Sequence, residues 1–142
     1  MFRDVGLHNY VTEQVEDHTD DRPAAVRNFI GAISLSDPVD GCLPAVSCLV
    51  QGADFYASPQ VSPDGTRLAW VSWNHPNMPW DSTSLTVGTI AVDGAVVSEQ
   101  VVAGGPEDPP QSVMAPRFSP LDQKLAFITD TSGWWSLWRC GD

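Results

Sequence analysis

Basic residues are scarce in this chain: 7 Lys and Arg stand against 18 Asp and Glu, a formal net charge of −11 with a pI near 4.3. They are scattered singly, so the sequence builds no clustered positive surface for a phosphate backbone or an anionic membrane. Neither nucleic acid nor membrane is an expected partner. Long apolar runs are also missing, and no segment approaches the ~20 residues of a membrane span. The start, 1–10, carries Arg3, Asp4, His8 and Asn9 and lacks the apolar core of a secretory signal. Cysteine is limited to Cys42, Cys48 and Cys140, an odd count whose spacing fits neither a zinc site nor a redox pair. A reducing, cytoplasmic setting with three partly buried thiols is the expectation, with no cofactor. His8, His18 and His75 with Asp17 and Asp81 have no ligand spacing either, and the run Glu16-Asp17-His18-Thr19-Asp20-Asp21 reads as a solvated loop, so no metal is expected.

What is present is a chain of 142 residues that are 42% hydrophobic, enough for a core that buries roughly 68–70% of the unfolded surface. Periodicity of two dominates its second half. The runs 66–73, 84–92, 95–102, 124–129 and 134–139 are rich in Val, Ile, Thr and Trp and are bounded by Gly, Pro, Asp or Asn. Asp64-Gly65 and Asp93-Gly94 sit between such runs, and Asp-Gly supplies the positive φ of a tight hairpin turn. The class expected is all-β and antiparallel.

An internal repeat gives the architecture. The segment 58–72, SPQVSPDGTRLAWVS, recurs without a gap as 115–129, APRFSPLDQKLAFIT, at an offset of 57 residues. Four strands, at about 56–62, 66–73, 84–92 and 95–102, fill the interval between the copies, which is the content of one propeller blade. The expected organisation is a single partial β-propeller of about two and a half blades: 1–52 as the end of one blade, 53–103 as a complete blade, and 112–142 as the start of a third. Plausible strands at 10–16, 26–35 and 45–50 fill the first of these. A closed propeller uses about 4–8 blades, so this segment does not close a ring by itself.

Strand parity places the loops. With strands ordered from inner to outer, the turns Ser62-Pro63-Asp64-Gly65 and Asp93-Gly94 share one rim, while 74–83 shares the other with 104–112 and 51–55. The two tight turns, with Ser119-Pro120 in the second copy, are structural candidates. Long loops carry function more often. The strongest candidate for substrate contact or domain docking is therefore Trp73-Asn74-His75-Pro76-Asn77-Met78-Pro79-Trp80-Asp81, which combines prolines, aromatics, a thioether and an imidazole. The competing expectation has Trp80 and Met78 folded back over the blade edge and His75 bonded to a backbone carbonyl. Trp134, Trp135 and Trp138, with Trp70 and Trp73, are expected to be core, since neighbouring blades cover both faces of an inner blade.

The run 54–59 (DFYASP), the turn 62–65 (SPDG), Leu68-Ala69-Trp70 and above all 73–81 (WNHPNMPWD) resemble the N-terminal propeller of the prolyl oligopeptidase family of serine peptidases, in its acylaminoacyl-peptidase and dipeptidyl-aminopeptidase-like branch. The resemblance extends over roughly 10–139, with 16–18 (EDH) and 133–139 (GWWSLWR) similar to adjacent blades. Two features depart from the family pattern: the second turn reads Ser119-Pro120-Leu121-Asp122, and the third strand of the middle blade contains Thr86-Val87-Gly88-Thr89. The resemblance implies a propeller that caps the active site of a C-terminal α/β-hydrolase domain and limits access to short peptides or acylated amino termini. That domain would supply a Ser, Asp and His triad. These residues hold no Gly-x-Ser-x-Gly elbow, so the expected role is non-catalytic, as filter and docking surface. The family's glutamate pair for a substrate amino terminus lies on a helix, and Glu16 does not match it. The alternatives are a stand-alone TolB-like or WD-like module that binds a protein or copies of itself, and a truncated remnant.

Overall fold

The computed structural model describes residues 10–17, 26–34 and 45–140. The expectations at His8, His18, Cys42, 18–25 and 35–44 lie outside them. The described residues form ten strands and no helix: β1 (Tyr10–Asp17), β2 (Arg27–Ser34), β3 (Val46–Gln51), β4 (Phe55–Val61), β5 (Arg67–Trp73), β6 (Ser84–Ile90), β7 (Val96–Gly104), β8 (Val113–Phe118), β9 (Leu125–Thr129) and β10 (Ser136–Arg139). They build three antiparallel meanders, β1-β2-β3, β4-β5-β6-β7 and β8-β9-β10. The chain is all-β and a partial propeller.

Position in the first sheet follows from direction. β1 ends at Asp17 beside Arg27, β3 ends at Gln51 beside Phe29, and β4 leaves the same rim after only Gly52, Ala53 and Asp54. β1 therefore runs against β4, as the second strand β5 does. The first sheet fills strand positions two to four of a blade, and β1 and β2 touch β4 as β5 and β6 touch β8.

The core lies between sheets. Leu68 and Trp70 of β5 face the first sheet and join Ile30, Ala32, Val50, Tyr56 and Ile90, while Ala69 and Val71 face the third and join Leu85, Val113, Leu125 and Phe127. A strand buried on both faces needs an unbroken apolar run, and Leu-Ala-Trp-Val is that run. The repeat in sequence is a repeat in backbone: Ser58 and Ala115 both take positive φ, 53° and 52°, immediately before Pro59 and Pro116. Proline cannot donate to the ladder, and the register shifts between Ala57 and Gln60 and again between Met114 and Arg117.

The two turns close alike but are built differently. Ser62 N donates to Arg67 O and Ser119 N donates to Lys124 O, each at 2.8 Å. In the first, Gly65 takes φ 72° and the Asp64 carboxylate accepts from the Ser62 hydroxyl at 2.5 Å and from Thr66 N and Oγ1 at 3.1 and 2.8 Å. Burial works against ionisation of Asp64, but these hydrogen bonds, with the Arg67 charge, outweigh it and hold the carboxyl below its ordinary range. In the second, Asp122 stands where Gly65 stood; the left-handed residue moves on to Gln123, φ 60°, and Asp122 pairs with Arg139 instead.

Two expectations need correction. Trp134, Trp135, Leu137 and Trp138 are exposed, at 82%, 46%, 75% and 45%: Leu137 pairs with Ile128 on the side that no other described sheet covers, while Trp138 pairs with Phe127 on the opposite side but on the edge strand β10. Cys48 is exposed too, whereas Cys140 is half-buried and its thiol is pushed up by desolvation.

Candidate functional site

The rim opposite the Asp-Gly turns gathers 51–55, 74–83 and 104–112, tied largely by hydrogen bonds. At its first end the loop is tied to the crossover from the first blade: Asp54 N donates to Asn74 Oδ1 at 2.8 Å, and His75 N donates to Asp54 Oδ2 at 2.9 Å. Asn28 of β2 reaches the same crossover, its amide donating to Asp54 O at 2.5 Å. At the far end Thr83 is buried at 2% exposure and bridges two blades. Its hydroxyl donates to Val113 O at 2.8 Å and accepts from Val113 N at 2.6 Å. Its backbone completes the seam, with Thr83 N donating to Gln111 O at 3.1 Å and Gly105 N to Thr83 O at 3.0 Å. Fully buried Ser112 donates to Pro79 O, and Ser112 N is held by Asp130 Oδ1 at 2.7 Å.

Between these anchors the tip is a small closed turn. Asn77 N donates to Asn74 O, Asp81 N to Met78 O, and Met78 N to Asp81 Oδ2, all at 2.9–3.0 Å. The His75–Pro76 peptide is cis. Met78 and Trp80 point outward, 44% and 62% exposed, which corrects the expectation that they fold back over the blade edge. Trp73 stacks on Phe55 with centroids 5.4 Å apart and planes at 20°, and the His75 ring meets the edge of Phe55 at 5.5 Å. His75 is thus anchored through its backbone nitrogen and its ring contact.

Hollows open beside the loop, two of them against the first blade. A groove of about 590 Å³ runs between Arg27, Asn28, Gln51, Asp54, Phe55 and His75. A smaller one of about 230 Å³ is walled by Phe29, Phe55, Tyr56 and Trp73 with Glu16 and Asn28. Arg27 is held by Asp17 at 2.9 Å. The Tyr56 hydroxyl accepts from Ala53 N at 2.8 Å, and desolvation pushes its pKa up. The Asn28 Oδ1 atom is buried without a hydrogen bond.

The structure brings together Trp73, Asn74, His75 and Asp54 as one cluster and Pro79, Thr83 and Ser112 as another, with the exposed tip between them. The turns at Ser62 to Gly65 and Ser119-Pro120 stand on the opposite rim. Arg27 and Asn28 were not singled out by sequence reasoning, and Thr83 and Ser112 only as the ends of the loops 74–83 and 104–112. Their partners lie 10 to 33 residues away in the chain, so only the strand register places them.

No protein-family model matches the chain, and no curated protein matches it. Solved structures do. A puromycin hydrolase mutant complexed with PGG superposes with a TM-score of 0.78 at 32% identity over 94% of this chain. Puromycin hydrolase itself gives 0.77 at 33% identity over 92%, and a puromycin-hydrolyzing peptidase of Mycobacterium tuberculosis gives 0.71 at 41% identity over 82%. The fold is that of a peptidase propeller. The chain is similar to the N-terminal β-propeller portion of these prolyl oligopeptidase-family peptidases. It spans about a fifth of the length of those relatives, 20%, 19% and 17% respectively.

Proposed function

We propose that the chain acts as a non-catalytic propeller segment of a serine peptidase, filtering access to the active site and docking an α/β-hydrolase domain through the 74–83 rim. The supporting observation is the loop itself: it is fixed at both ends by buried or backbone hydrogen bonds, yet it presents Met78 and Trp80 to solvent. A rigid apolar tip loses little conformational freedom when it docks. Acylaminoacyl- or dipeptidyl-peptidase specificity and a cytoplasmic setting belong to this proposal. Puromycin, named for the relatives, is the first substrate against which the intact enzyme is to be assayed.

An immunoblot of the endogenous protein with an antibody to residues 74–83 tests the reading. A band several times heavier than the calculated 15.4 kDa that also reacts with a fluorophosphonate serine probe is expected. A single unreactive band at the calculated mass would overturn it. The second reading, a self-associating binding module, is favoured by one observation, the exposure of Trp134, Trp135, Leu137 and Trp138 at the end of the third sheet.

A further inference from the structure

Two turns of one rim carry an Asp-Gly pair, Asp64-Gly65 between β4 and β5 and Asp93-Gly94 between β6 and β7, and the fold holds them differently. Such a pair is open to a reaction that other pairs resist. The following backbone nitrogen attacks the side-chain carboxyl carbon, and glycine has no Cβ to hinder the approach. Among the described residues the other aspartates are followed by His, Phe, Ser, Pro, Gln or Thr. Asp64 and Asp93 are both exposed, so contact with solvent does not separate them.

The first turn is locked. Asp64 Oδ1 accepts from the Ser62 hydroxyl and from Thr66 N and Oγ1, and the Ser62 hydroxyl accepts in turn from Arg67 N at 2.9 Å. Gly65 is buried, its N donates to Ser62 O at 2.8 Å, and Ser62 is 2% exposed. The donors around Asp64 also keep it ionised, and a carboxylate lacks the hydroxyl that has to leave. The second turn is lightly held. The Asp93 carboxylate accepts one hydrogen bond among the described residues, from Ala95 N at 3.0 Å. Gly94 is half-buried with open space around an added Cβ, and its N donates to Ala91 O at 2.9 Å. The strand that follows, β7, is an edge strand exposed over most of its length, and Val92 is 89% exposed. Beside the turn the pairs Ile90–Val96 and Thr89–Val97 are followed by a register shift, where Ser98 takes φ 53°. Local opening is least costly where few apolar contacts and few protected hydrogen bonds are lost, and 91–97 meets that condition.

From these features we propose that Asp93-Gly94 is a site of spontaneous isoaspartate formation in the folded chain, and that the fold protects Asp64-Gly65 from the same reaction. The turn opens, Gly94 N loses its proton and bonds to Asp93 Cγ, and the carboxyl C–OH bond breaks. Water leaves and a five-membered succinimide closes. Water then adds to one of its two carbonyl carbons. Addition at Cγ restores aspartate, whereas addition at the Asp93 main-chain carbon breaks its bond to nitrogen and leaves the chain running through the side chain. Nothing is oxidised or reduced, and the mass is unchanged. The product lengthens the backbone of the turn by one methylene and presents a carboxylate of the kind that an isoaspartyl methyltransferase esterifies. This assignment does not depend on the peptidase reading, so the failure of one leaves the other standing.

The full chain is incubated in buffer near neutrality, folded and in urea, then digested with trypsin, and isoaspartate is located by electron-transfer fragmentation. Cleavage after Arg27, Arg67 and Arg117 puts Asp93 in the peptide 68–117 and Asp64 in 28–67. The second peptide also carries Asp40-Gly41, which fragmentation separates from Asp64. In the folded chain isoaspartate is expected to accumulate at Asp93 at least about fivefold faster than at Asp64, and in urea the two rates are expected to agree within about twofold. Ser62→Ala removes a donor from Asp64 and is expected to raise the rate there at least about threefold while leaving Asp93 unchanged. Equal rates in the folded chain, a faster rate at Asp64, or no rise at Asp64 in a folded Ser62→Ala chain would overturn the proposal. A preference for Asp93 that persists undiminished in urea overturns it as well, because the local sequence and not the fold would then set the rates. The comparison of folded chain with urea needs no variant, so it decides even if Ser62→Ala perturbs the turn.

Discussion

Replacing Thr83 by valine removes one hydroxyl and almost no volume, which makes it a direct measure of what joins the middle and third blades. The Thr83 side chain is buried at 2% exposure and its hydroxyl both gives and takes a hydrogen bond, to Val113 O at 2.8 Å and from Val113 N at 2.6 Å. Valine leaves two backbone groups of Val113 without these partners, in a residue that is itself 1% exposed. Each buried group so stranded costs about 1–3 kcal/mol, and part of the loss overlaps because the two groups belong to one residue. The expected destabilisation is about 2–4 kcal/mol, a large share of the roughly 5–15 kcal/mol that a domain has in total. Thr83→Ser keeps the hydroxyl and removes one methyl, at about 0.8–1.5 kcal/mol. Urea unfolding followed by tryptophan fluorescence measures both, and an unchanged slope shows that the midpoint shift reports stability. The reasoning fails if Thr83→Val lies within about 0.5 kcal/mol of the wild type, or if the serine variant is the less stable of the two.

Three further outcomes are expected. Asp64 is ionised more readily in the folded chain than in the unfolded one, so its contribution is present above the unfolded pKa and is lost as pH falls through the folded one; Asp64→Ala should be less stable than wild type near neutrality, with the gap closing below about pH 4 in thermal melts. Gly104, at φ 75°, would place an added Cβ against the Thr83 carbonyl oxygen and Val113, whereas Gly94, at φ 85°, has open space there, so Gly104→Ala should lower the urea midpoint much more than Gly94→Ala. On the outer face of the third sheet Met114, Ile128 and Leu137 share one side, and Val71, the repeat counterpart of Ile128, is 3% exposed because the third sheet covers it. The chain is therefore expected to self-associate in sedimentation velocity at tens of micromolar, and Leu137→Glu to shift it toward monomer; a concentration-independent monomer in the wild type would count against this.

Periodicity and the repeat made the strands readable because each depends on local sequence. Leu68-Ala69-Trp70-Val71 reads as a strand buried on both faces, and it is one. The repeat offset of 57 residues even carries the positive φ of Ser58 to Ala115. The exposure of Trp134 to Trp138 was misjudged for a different reason: alternation tells which side chains share a face, but whether a face is covered depends on the next sheet, which the run itself does not encode. The outward tip of Met78 and Trp80 has the same origin. Asn28 and Thr83 were invisible as site residues because a single Asn or Thr in a strand or loop has many uses, and only pairing across 26 and 30 residues gives these two their partners.

The division of labour between faces and rim also explains why the candidate sites sit where they do. Sheet faces are held by apolar contact, which is strong but non-directional, so they fix the blades and leave little polar chemistry free. The rim is held by hydroxyl and amide groups aimed at backbone atoms: Thr83 at Val113, Ser112 at Pro79, Asn74 and Asn28 at Asp54. Directional bonds can fix a loop at its ends without burying its middle. That is the condition under which Trp80 stays 62% exposed on an otherwise anchored segment. The same economy leaves Asn28 Oδ1 unmatched, since the amide is committed through its nitrogen and cannot turn its oxygen toward water. A fold that held this rim by apolar packing would have neither the exposed tip nor the unsatisfied acceptor.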